Sequence, residues 1–149
     1  MKTKLFYSFL TFALFLVINS AFGQEHTATL VCDVQALNND TPASEACYFA
    51  EEEDVNPIDF TIEANIGDEI LWSGETDADG NTIQIKKIKF ERGTEVFNSI
   101  EKEGASTIVR TVKFSTKNKP DYKYTISFKI NDTGRLYKID PKVRVGGGG

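Results

Sequence analysis

Histidine, methionine and tryptophan each occur once in this chain, as His26, Met1 and Trp72, and cysteine occurs twice, as Cys32 and Cys47. A serine or cysteine nucleophile needs a nearby imidazole base, and a single histidine close to a terminus offers little to activate one. Two thiols without further Cys or His ligands do not complete a tetrahedral zinc site. Only one long apolar run is present, Leu5 to Ile18, so no second membrane-spanning segment is expected. Positive charge is also short: 17 Lys and Arg stand against 22 Asp and Glu, a formal net charge of −5. An acidic surface repels phosphate backbones and anionic lipid, which argues against a nucleic-acid partner.

The amino-terminal residues have the pattern of an export signal. Lys2 and Lys4 give a charged start, Leu5 to Ile18 an apolar core, and Ala21-Phe22-Gly23 a small-x-small cleavage site. Cleavage after Gly23 makes Gln24 the mature amino terminus and lowers the net charge from −5 to −7, since both lost charges are lysines. No cysteine follows the cut to carry a lipid anchor, so a soluble periplasmic or extracellular protein is expected. Three segments result: a signal peptide over 1–23, a single domain over 24–145, and a flexible glycine tail over 146–149.

Export places Cys32 and Cys47 where thiols oxidise, and one disulfide is expected between them. In the chain-entropy model a loop of this length contributes about 3 kcal/mol.

Apolar residues after the signal mostly alternate with period two, as in strands with one buried face. Tyr122, Tyr124, Ile126, Phe128 and Ile130 share one face, and Lys123, Thr125, Ser127 and Lys129 the other, which is read as wet. Further strands are expected at Ile58–Ala64, Ile70–Trp72, Thr82–Phe90, Ser106–Phe114, Leu136–Ile139 and Val143–Val145. The alternation slips at Lys86-Lys87, which predicts a bulge. Turn residues separate the runs at 38–42, 77–81, 91–93, 118–121 and 131–134. No long helix is expected outside the signal. The pattern predicts an all-β, antiparallel sandwich of Greek-key type.

The stretch IDFTIEANIGDEILW resembles the early strand pair of cupredoxin-like domains, and YKYTISFKINDTGRLYKIDPKVRV resembles their closing strands. The resemblance implies a cupredoxin-like or immunoglobulin-like sandwich. A type 1 copper site needs two imidazoles and a thiolate, usually with an axial thioether. His26 is the only imidazole, and no Cys, His or Met lies between Tyr124 and Val145, so the inventory excludes that site.

Several groups remain as candidates. A mature terminus Gln24-Glu25-His26 can chelate Cu(II) or Ni(II) through the amine, two amides and the imidazole, unless Gln24 cyclises. The run Glu51, Glu52, Glu53, Asp54, with Asp59 and Glu45 nearby, offers carboxylates for Ca²⁺ but is read as a solvated acidic loop with outward-pointing side chains, a contact surface for a cationic partner. Glu75, Asp77, Asp79 and Gly80 match the first half of a calcium loop, but Lys86 stands where a bidentate Glu is required, so a hairpin turn is expected. Trp72, Tyr48, Phe49, Phe97, Tyr122 and Tyr137 are candidates for a glycan platform or for the core, and core is the commoner fate.

The expectation is an exported, non-enzymatic binding module without a cofactor, recognising a surface protein or a glycan, with a Cu(II)- or Ni(II)-handling protein as the alternative. Its candidate contact loops contain Glu51 to Asp54 and Asp77 with Asp79.

Overall fold

In a computed structural model of the chain, which describes residues 23–77, 79–98 and 106–146, the alternating segments form two facing sheets. Among the described residues there are nine strands and two short helices: β1 (Glu25–Cys32), α1 (Val34–Asn38), α2 (Ala43–Ala46), β2 (Cys47–Phe49), β3 (Thr61–Ala64), β4 (Glu69–Gly74), β5 (Ile83–Arg92), β6 (Ile108–Thr111), β7 (Tyr122–Ile130), β8 (Thr133–Ile139) and β9 (Lys142–Val145). The first sheet runs β2-β1-β4-β6. The second runs β3-β9-β7-β5, with β8 on the same side of β7 as β9 and continuous with it across Asp140-Pro141.

The all-β expectation holds, but the antiparallel one needs correction. Each sheet contains one parallel pair, β1 with β4 and β3 with β9. Alternation reports which face of a strand is buried and says nothing about the direction of its neighbour. Both parallel pairs join strands far apart in sequence, as parallel pairing requires. Residues 1–22 of the expected signal peptide and residues 147–149 of the expected tail lie outside the described residues. Gly146, assigned to the flexible tail, donates its N–H to the Ala64 carbonyl at 2.9 Å.

Two strands were not anticipated, β1 and β2. β2 has only three residues, and β1 mixes polar residues with its apolar ones at the terminus. The predicted bulge in β5 is present, with the register shifting between Ile85 and Lys87. Asn131 and Asp132, with φ of 51° and 55°, make the two-residue turn joining β7 to β8, the left-handed geometry that closes tight hairpins.

The facing surfaces of the sheets form the core. Leu30, Phe49, Ile70, Trp72 and Ile108 come from the first sheet and meet Ile85, Ile88, Tyr122, Tyr124 and Phe128 from the second, all essentially inaccessible to water. On the outer face of β7, read as wet, Thr125 and Ser127 are buried. β7 is the central strand of its sheet, so longer side chains of its neighbours close over these two short ones. The Thr125 hydroxyl lies 2.9 and 2.7 Å from carboxylate oxygens of Glu91 and Asp140.

Candidate functional site: an acidic cleft beside the disulfide

The stretch Asp33 to Pro57 leaves the first sheet after β1, returns as β2 and leaves again, and it lines a concavity. Cys32 and Cys47 face each other across the β1–β2 ladder and are joined by the expected disulfide. The bond pins both ends of the helical excursion. Asp33 caps α1 by accepting the Ala36 N–H at 2.9 Å, and its own N–H donates to the Ala46 carbonyl at 2.8 Å. The two helical turns are thereby held against the start of β2.

The acidic run begins where β2 ends. Glu51 does not point away into solvent as expected: its carboxylate reaches back to β1 and accepts the Thr29 N–H at 3.0 Å and the Thr27 hydroxyl at 2.9 Å. Successive turns carry the chain onward, and Pro57 is buried beneath them. Glu51 thus fastens the loop, while Glu53 and Asp54, with Asp33 and Glu45, line a cleft of about 570 Å³. Ala36, Ala46, Tyr48 and Val55 supply apolar surface, and no Lys, Arg or His lines it. Four exposed acidic residues without a compensating cation give the cleft a negative potential that favours a cationic ligand. Glu52 is exposed and does not line the cleft.

The other candidate loop is not part of this cleft. Asp77 spends its carboxylate internally, accepting N–H groups of Asp79 and Asn81 and the Asn81 side-chain amide at 2.8 to 3.0 Å. These bonds, led by the Asn81 side chain, hold the Asp77 carboxyl below its ordinary range. Gly80 has φ of 83°, and Thr76 bridges Thr82, so the segment is a self-satisfied turn. Asp79 is exposed beside it.

His26, expected at a mobile terminus, instead sits in β1 opposite Ile70, and its Nε2 lies 2.8 Å from Asp68 Oδ2. Glu25 precedes it in the ladder opposite Glu69, and the Gln24 N–H donates to Asp68 Oδ1 at 2.8 Å. A terminal chelate would have to leave β4 and surrender both contacts with Asp68. Among the described residues no group of three or more His, Cys, Asp or Glu side chains is arranged to hold a metal. Of the aromatic candidates, Trp72, Phe49, Phe97 and Tyr122 are core. Tyr48 is half-buried at the cleft, and Tyr137 is half-buried with the Arg135 guanidinium over its ring.

Glu45 was placed near the acidic run, whereas the role of Asp33 was missed because it does not stand in a charge run. A signal for the whole region was nevertheless present. Between Lys4 and Lys86 there is no Lys or Arg at all, while fifteen of the 22 acidic residues lie between Glu25 and Asp79. Any concavity built from that half of the chain is acidic without a compensating cation.

Fold and site define a mostly β chain of two mixed sheets with a disulfide-pinned acidic cleft. No family model and no curated protein matches the chain. Among solved structures it is similar to the crystal structure of the inclusion body protein PixA from Burkholderia cenocepacia J2315, with a TM-score of 0.59 and 13% identity, covering 86% of this chain and 99% of that one. At that identity the likeness shows the fold alone.

Proposed function

We propose that the protein is an exported, non-enzymatic binding module that takes a cationic group of a surface protein, a lysine- or arginine-bearing segment, into the acidic cleft. The observation that carries this reading is the lining: Asp33, Glu45, Glu53 and Asp54 all border the cleft, with no basic residue among them. The Cys32–Cys47 disulfide suits an oxidising compartment, and among the described residues no helix is long and apolar enough to cross a membrane. On this reading a cupredoxin-like sandwich of Greek-key descent serves recognition in place of electron transfer. The only imidazole is engaged with Asp68 and both cysteines with each other.

Calorimetric titration with hexalysine at low and high salt tests the proposal. Wild-type protein binds with an affinity that falls as salt rises. Glu53→Gln with Asp54→Asn weakens it up to about tenfold, since each of two exposed ion pairs is worth up to about 1 kcal/mol. Glu51 is left intact because it anchors the loop. Equal binding by the variant removes the cleft from the account, and binding of neutral oligosaccharide without hexalysine binding favours a glycan.

A further inference from the structure

The Gly23–Gln24 bond lies against the turn between β3 and β4, over one buried carboxylate. Asp68 is 5% exposed. Its Oδ1 accepts the Gln24 N–H at 2.8 Å, and its Oδ2 accepts from the Asn65 N–H and from His26 Nε2, each at 2.8 Å. The surrounding backbone is fixed as well: the Glu69 N–H donates to the Gln24 carbonyl at 2.9 Å, and the Val112 N–H to the Asp68 carbonyl at 2.8 Å. Gly23 passes so near the turn that a Cβ there would overlap the Gly67 carbonyl. The sequence pattern puts the export cleavage at this same bond. The nitrogen seen donating to Asp68 in the intact chain is therefore the nitrogen that cleavage turns into the amino terminus.

We propose that removal of the export signal converts the Gln24 nitrogen into an α-ammonium ion-paired with Asp68, so that processing supplies a buried carboxylate with a cationic partner and fastens β1 to the β3–β4 turn. The inference rests on the exported reading. In the cleavage, water adds across the Gly23–Gln24 amide: its hydroxyl goes to the Gly23 carbonyl carbon, the C–N bond breaks, and the Gln24 nitrogen gains one hydrogen and then a solvent proton. Charge around the site favours the product. Glu25 and Glu69 stand directly opposite each other in the β1–β4 ladder, a like-charged arrangement that a cation at the adjoining position relieves.

The ion pair has a chemical consequence. An amino-terminal glutamine cyclises when its free amine attacks its own side-chain amide carbon, closing a five-membered lactam and releasing ammonia. An ammonium has no lone pair for that attack, so a terminus held charged by Asp68 resists cyclisation.

The test is mass spectrometry of the exported, folded protein. The mature chain is expected to begin at Gln24 with a free amine. During incubation at neutral pH it loses ammonia about tenfold more slowly than the same protein unfolded in urea, the factor that one unit of raised amine pKa gives. Folded Asp68→Asn cyclises at close to the unfolded rate. A chain beginning at Gln24 that cyclises equally fast folded and unfolded, or is already cyclised on isolation, overturns the ion pair and leaves the export reading intact. A mature chain beginning at another residue overturns the ion pair alone, and a chain that keeps its amino-terminal segment overturns both.

Discussion

Trp72 Nε1 donates to the Tyr124 hydroxyl at 3.0 Å, a hydrogen bond that joins the two sheets at the centre of the core. Both side chains are fully buried, and burial pushes the Tyr124 hydroxyl pKa far up, so it stays protonated at any ordinary pH. Tyr124→Phe leaves the indole N–H without a partner in a dry interior. The expected cost is about 1 to 3 kcal/mol, read as a lower urea midpoint with the slope unchanged. An unchanged midpoint shows that this bond is not holding the sheets together.

The disulfide stabilises the fold and orders the cleft at once, because Asp33 adjoins the bridged Cys32, Cys47 is the other bridged residue, and Asp33 and Cys47 both line the cleft. Replacing Cys32 and Cys47 together by Ala is expected to cost about 2 to 5 kcal/mol, measured by thermal unfolding. Hexalysine binding by the variant should weaken even where the protein remains folded. Binding at full strength shows that the excursion orders itself without the bridge.

Asp68 makes stability depend on acid. Burial alone pushes its carboxyl pKa up, and the hydrogen bonds from the Asn65 N–H, His26 and the Gln24 N–H outweigh that and hold it below the ordinary range. A folded pKa lower than the unfolded one contributes stability above the unfolded value, lost as pH falls through the folded one. Asp68→Asn should therefore be less stable than wild type at neutral pH by about 1 to 3 kcal/mol, with the gap closing below about pH 4. A gap that persists to lower pH assigns the loss to shape rather than charge.

Gly93 carries φ of 96°, and a Cβ there would overlap the Asp121 carbonyl. Gly93→Ala combines backbone strain with a backbone clash, neither of which a side-chain movement relieves. A loss of about 1 to 3 kcal/mol is expected in chemical denaturation, and a neutral effect would show that the β5 end and the 120–121 turn can separate.

How much of this was legible in the sequence follows from what periodicity encodes. Long alternating segments such as Tyr122–Ile130 announced themselves, and so did the bulge at Lys86-Lys87, because a one-residue slip moves every later side chain to the other face. β2 has too few residues to show a period, and the parallel partnership of β1 with β4 is a long-range fact with no local trace. The burial of Thr125 and Ser127 was hidden for a similar reason, since it depends on side chains from neighbouring strands. The cleft was half legible. Glu53 and Asp54 stood out as a charge run, whereas Asp33 reads locally as a helix cap and Glu45 as an ordinary surface acid. Glu51, identical to its neighbours in sequence, was separated from them only by the path of the chain past Thr27 and Thr29.

Titration of hexalysine into isotopically labelled protein, followed residue by residue by NMR, tests the binding claim most directly. The account predicts amide shifts concentrated at Asp33, Ser44 to Tyr48 and Glu53 to Asn56, saturating together and fading with added salt, while Asp77 to Asn81 stay still. Shifts centred on the Asp77 turn, or none at any concentration, would contradict it.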